Sequence, residues 1–112
     1  MENNIDISIY IFREGEHYVA YCPSFDVSST GTDYLDAVKN FYECLQLHLD
    51  CCASAGTLAD DLRAHGWRVG DDGKLVPPSF SSLSLKPEMS ALLAGSQNYE
   101  RIVTPMHIQA TA

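Results

Sequence analysis

Hydrophobic and polar positions alternate strictly from Ile5, with Ile5, Ile7, Ile9 and Ile11 on one side and Asp6, Ser8, Tyr10 and Phe12 on the other. A period of two places successive side chains on opposite faces of a strand, so this segment predicts a strand buried on its isoleucine face. Glu14-Gly15-Glu16 interrupts the pattern as a short hairpin loop does. A second strand follows over 17–22, with Tyr18, Ala20 and Cys22 opposite Val19 and Tyr21. Pro23 has no N–H for a ladder and marks its end or an edge. Phe25–Thr30, rich in Ser, predicts a weaker third strand, closed by Gly31.

The period then changes to that of a helix. Tyr34, Val38, Phe41, Tyr42, Leu45, Leu49 and Cys52 fall within one sector of a helical wheel, and Asp36, Lys39, Glu43 and Asp50 fall opposite. This predicts a long amphipathic helix from about Asp33 to Ala55, capped by Thr32 or Asp33, with Asp36 favourably placed in the first turn. Gly56 stops it. Thr57 opens a shorter helix through Leu62, with Asp60 at the third position of a capping box, and Gly66 ends that one.

Beyond Trp67-Arg68-Val69, the run Gly70-Asp71-Asp72-Gly73 signals a turn before Lys74-Leu75-Val76. Pro77-Pro78 and Ser79-Phe80-Ser81-Ser82 predict a loop or extended arm. A short helix near Pro87 carries Met89, Leu92 and Leu93 and stops at Gly95. Tyr99–Gln109 predicts a final strand, and Pro105 within it restricts that strand to an edge or a bulge.

Composition changes this picture in one respect. At 112 residues and 46% hydrophobic, the chain suits one small domain with one core. The formal charge of −8 is unevenly placed. Residues 1–32 and 33–66 each carry −4, whereas 67–112 balance four acids with four bases. The first 66 residues would repel a phosphate backbone and attract a basic protein. The last third offers only Arg68, Lys74, Lys86 and Arg101, widely spaced, which argues against DNA binding. No segment has the apolar length of a membrane span, and the first residues lack the basic and apolar regions of a signal peptide. The expectation is a cytoplasmic protein whose cysteines Cys22, Cys44, Cys51 and Cys52 are free thiols.

Candidate chemistry is sparse. Cys44, His48 and Cys51 share one flank of the long helix, and Cys22 or His65 is a candidate for a further ligand. Structural zinc wants four ligands, so packing is the simpler role for these side chains. Cys22 with His17 as base fails on distance, since the strand separates them by about 16–17 Å. Asp60-Asp61 and Asp71-Asp72 fit a solvated surface or an acidic partner-binding face. There is neither a phosphate-binding glycine loop nor a basic cluster. No catalytic, cofactor-binding or metal residue is assigned, and the expectation is a protein that is not an enzyme. The small residues beside Cys44 widen the apolar face of the helix, which suggests contact with its own sheet on one side and a second subunit on the other.

The run His17-Tyr18-Val19-Ala20-Tyr21-Cys22-Pro23-Ser24-Phe25-Asp26-Val27-Ser28, then Gly31-Thr32 and Asp36-Ala37-Val38, resembles the N-terminal domain of the HicB antitoxin family. The likeness continues through Gly56-Thr57-Leu58 to Gly66-Trp67 and spans about Ile5–Val69. It implies a β-β-β-α-β arrangement, a partial RNase H-like fold without the nuclease carboxylates. It also implies a partner, a small basic mRNA-cleaving HicA-type toxin whose active site the antitoxin covers. A C-terminal DNA-binding domain, which many such proteins carry, is not evident in the neutral, proline-punctuated 70–112.

Together these readings predict an α+β fold. A small antiparallel sheet of three to four strands packs on one long helix, in β-β-β-α-α-β order, with a C-terminal extension ending in a strand. A HicB-like module at 1–69 is followed by an extension at 70–112 that packs on the same domain or on a second subunit. The expected function is antitoxin-like protein binding by a homodimer or higher oligomer. The alternative is a solitary HicB-like oligomer with a structural role and no toxin partner.

Overall fold

The computed structural model describes residues 2–72, 74–95 and 98–109. Its architecture is the α+β arrangement predicted above, a four-stranded antiparallel sheet against one long helix. Strands β1 (Glu2–Glu14), β2 (His17–Cys22) and β3 (Val27–Gly31) lead into helix α1 (Tyr34–Ala55) and helix α2 (Leu58–Ala64). A two-stranded ribbon, β4 (Arg68–Val69) and β5 (Leu75–Val76), is followed by α3 (Phe80–Leu83), α4 (Pro87–Ala94) and β6 (Tyr99–Gln109). The main sheet has the order β3-β2-β1-β6. Gly73 of the predicted turn between β4 and β5 lies outside the described residues.

Strict alternation in β1 decides which side faces the helix. Ile7, Ile9 and Ile11 are buried beneath α1, and the register carries the same face across to Ala20 and to Ile102. From α1, Ala37, Phe41, Leu45 and Leu49 descend onto this surface at helical spacing. Each large side chain fully buried here contributes about 1.5–3 kcal/mol through loss of apolar surface from water. Ala37 belongs to this buried line, while Tyr42, expected in the apolar sector, is 39% exposed. The buried arc runs from Ala37, pressed against β3, to Leu49, and Tyr42 falls just beyond its margin.

The helix ends follow their chemistry. Asp33 caps α1, accepting the Asp36 amide at 2.8 Å, and Asp36 in turn accepts the Thr32 amide at 2.9 Å. Gly56 adopts φ 71, the left-handed conformation that ends many helices. The predicted capping box at Thr57 is not formed. Thr57 makes no side-chain cap hydrogen bond, and its hydroxyl turns back to the Cys52 carbonyl at 3.4 Å.

The elements differ from the expected ones in three further places. β3 begins at Val27 rather than Phe25, because Asp26 takes φ 55 and Phe25 leaves the strand to stack on Trp67, with ring centroids 5.1 Å apart. Ser79-Phe80-Ser81-Ser82, expected as loop, opens α3, with the Ser79 hydroxyl accepting the Ser82 amide at 3.2 Å. The strand after the helices, β4, pairs with β5 in its own ribbon, and the fourth strand of the sheet is β6. β6 runs antiparallel to β1 in continuous register from Phe12↔Tyr99 to Glu2↔Gln109. Pro105 is accommodated because β6 is an edge strand.

The opposite face of the sheet is also covered in part. Met89 and Leu92 of α4 bury Tyr10 and Tyr21, forming a second apolar cluster with Phe12 and Val19. Among the described residues no helix is long and apolar enough to cross a membrane.

Candidate functional site

The outer face of the sheet carries a recess of about 390 Å³ beside α4. Its floor is Phe12 of β1 with Val19 and Tyr21 of β2. These side chains share a face because Phe12 pairs with Val19, and Tyr21 lies one step of two further along the same strand. The rim holds three exposed carboxylates from three parts of the chain: Glu14 at the end of β1, Asp26 in the turn before β3, and Glu88 in the first turn of α4.

The rim is tied to the floor. The Tyr21 phenol donates to Asp26 Oδ1 at 3.1 Å. Burial of the ring pushes the phenol pKa far above its ordinary value, and the Asp26 hydrogen bond with the negative fields of Asp26 and Glu88 reinforces the shift. Asp26 is held in the left-handed region that Asp tolerates better than most residues. A partly aromatic floor beneath separated carboxylates offers a guanidinium or ammonium group an apolar surface and counter-charges.

A second groove on this face is mainly aromatic, with one arginine. Tyr10, Phe80, Leu93, Tyr99 and Arg101 line about 270 Å³. Tyr10 and Tyr99 have ring centroids 5.8 Å apart, and Arg101 Nε donates to Ser8 Oγ at 3.1 Å. Burial raises the Tyr10 pKa, and the neighbouring Arg101 partly offsets that rise.

On the far side of the sheet, α1 meets α2 through a polar cluster. His48 Nε2 donates to Asp61 Oδ2 at 2.9 Å, and Cys52 Sγ lies 3.9 Å from the same nitrogen. His65 Nδ1 donates to the Asp61 backbone carbonyl at 2.8 Å and lies 3.7 Å from the carboxylate. Of the trio noted in the sequence, only His48 enters this cluster. Cys44 packs against the main core, and Cys51 faces solvent. Cys44 and Cys52 both stand four residues from His48, and Cys52 is the one that joins because it lies at the end of α1 that leads into α2. Asp61 and Asp60 also separate: Asp60 pairs with Arg63 at the surface, and Asp61 turns inward.

The pairing of Cys22 with His17 does not form. Strand alternation puts Cys22 on the helix face and His17 on the outer face. Burial raises the Cys22 thiol pKa, and its contact is the Ser24 hydroxyl at 3.2 Å. All four cysteines are free.

No family model, curated protein or solved structure matches the chain. Asp61 and Glu88 carry no sequence signal beyond their charge, because α2 and α4 bring them to their sites. Cys52 was accessible through the spacing of four, which the apolar sector of the wheel concealed.

Proposed function

We propose that the chain is a non-enzymatic, cytoplasmic protein-binding module of the antitoxin type. It captures a small basic protein, in the manner of a HicB-like antitoxin covering a HicA-type mRNA-cleaving toxin. The observation that carries this reading is the recess with Phe12, Val19 and Tyr21 beneath Glu14, Asp26 and Glu88. An Arg or Lys side chain of the partner enters it, while the −8 charge of the whole chain steers the encounter.

The test is co-purification with the product of a small basic reading frame encoded beside this one, followed by titration at several salt concentrations. Wild-type protein binds, and binding weakens as salt rises. Combining Glu14→Gln, Asp26→Asn and Glu88→Gln removes three charges at nearly constant volume and weakens binding by about 10- to 100-fold, at roughly 0.5–1 kcal/mol each. Absence of a complex at low salt, or full affinity in the triple variant, refutes the proposal.

The mainly aromatic groove of Tyr10, Phe80, Leu93 and Tyr99, with Arg101 at its side, favours a second reading, in which this face meets another copy of the chain and the protein is a solitary HicB-like oligomer. Light scattering over a concentration series checks it, and a strict monomer throughout sinks it.

A further inference from the structure

We infer that His48, Cys52 and Asp61 form a binding site for a borderline transition-metal ion, zinc in the first instance, that ties α2 to α1. The donor atoms of the three residues all lie within 4.8 Å of one another. The mixed nitrogen, sulfur and oxygen set suits zinc rather than magnesium or calcium, which take oxygen ligands.

The dimensions fit with small movements. Zinc bonds of about 2.0–2.3 Å in tetrahedral geometry require donor separations of roughly 3.3–3.6 Å. The His48–Asp61 separation is 2.9 Å and the Cys52–His48 separation is 3.9 Å, one short and one long by about the same amount. A His–Asp hydrogen bond accounts for the first distance and the spacing of four along α1 for the second. Together they bring one nitrogen, one sulfur and one oxygen donor to the same point.

The surroundings also suit an ion. His48 and Asp61 side chains are 30% and 21% exposed, open enough for an ion to enter and enclosed enough to hold the donors in place. His65 is a positioning residue. Its bond to the Asp61 carbonyl fixes the end of α2 beside the carboxylate. Three protein ligands leave the fourth position to water. Binding displaces the Cys52 thiol proton to solvent and moves the His48 ring proton from Nε2 to Nδ1. The thiolate and carboxylate then balance the dication.

The cluster lies on the helix side of the sheet, away from the recess, so its occupancy and partner binding are separable. The test uses tag-free, reduced protein titrated with Co²⁺ as a spectroscopic probe and then with Zn²⁺. The expected result is one equivalent of Co²⁺ bound with a thiolate-to-metal charge-transfer band, displaced by Zn²⁺. Zinc at 100 times its Kd raises the thermal midpoint by roughly 10 °C. Cys52→Ser abolishes the band, and His48→Gln and Asp61→Asn each weaken binding by about 100-fold or more. His65→Ala keeps the band and weakens binding by about 10-fold. Cys44→Ser and Cys51→Ser match wild type. No band in the wild-type protein, or a band that survives Cys52→Ser, overturns the inference, with circular dichroism verifying that each variant is folded.

Discussion

Replacing Gly31 by Ala adds one methyl group where β3 meets the first turn of α1. A Cβ built on Gly31 would lie 2.2 Å from the Ala37 amide nitrogen, 2.6 Å from the Asp36 carbonyl carbon and 2.7 Å from the Ala37 Cα. Non-bonded carbon atoms rest at about 3.5–4.0 Å, so strand and helix must separate by more than about 1 Å. Every atom it meets is helix backbone, so no side chain can rotate away. Separation would loosen Phe41 in the core and the Asn40 Nδ2 to Thr30 carbonyl bond of 2.9 Å. It would also disturb the Asp33 cap, itself worth about 1 kcal/mol. Adding overpacking of about 1–3 kcal/mol gives a loss of about 3 kcal/mol. Urea unfolding followed by fluorescence of Trp67, the single and buried tryptophan, measures it directly. With a slope of about 1–3 kcal/mol per M urea the midpoint falls by about 1–3 M. Gly56→Ala is the control: it meets nothing within 4 Å and has φ 71, so it costs only about 1 kcal/mol of backbone strain. A Gly31→Ala loss below about 0.5 kcal/mol, or one no larger than the Gly56 control, would show that the close contact does not constrain the fold.

Other perturbations separate the remaining contributions. Trp67→Phe keeps a ring against Phe25 but removes the 2.6 Å bond from Nε1 to the buried Ser24 carbonyl, and chemical denaturation should show a loss of about 1–3 kcal/mol. Met89→Ala empties the fully buried position through which α4 covers Tyr10 and Tyr21, with an expected loss of about 2–5 kcal/mol; an unchanged thermal midpoint would mean that α4 does not hold the outer face. Alkaline pH tests the buried phenols. Folding raises the Tyr10 and Tyr21 pKa values above the ordinary 10.0, so their stabilisation is complete below pH 10 and is lost as pH rises, because only the unfolded chain releases the protons. Each phenol accounts for up to about 1.4 kcal/mol per pH unit, and Tyr21→Phe should shallow the decline measured by unfolding at successive pH values.

Much of the fold is legible in the sequence because local periodicity suffices. The isoleucine alternation of β1 determines which face is buried, and the positions of Phe41, Leu45 and Leu49 determine the helix and the side it presents. Pro105 restricts the last strand to an edge or a bulge, and the structure has the edge, since a missing N–H is a local property that no tertiary contact repairs.

Contacts between distant segments were decided only by tertiary structure. Phe25 read as strand until Trp67 drew it out of line, and Asp26 had no sign of its left-handed turn beyond residue type. The same holds for both candidate sites. Glu14, Asp26 and Glu88 are ordinary surface acids along the chain, and they share one recess because α4 lies across the outer face of the sheet. His48 and Cys52 are related by helix geometry that a sequence contains, but Asp61 reaches them only through the packing of α2 on α1. Sequence by itself determined the long strands, the long helix and the faces they turn to each other, because those depend on side-chain spacing within one segment, but not the cover that α4 gives Tyr10 and Tyr21 on the outer face. Tertiary structure decided which charges and ligands meet, because a turn of only a few residues between elements sets where they point and leaves no periodic signal.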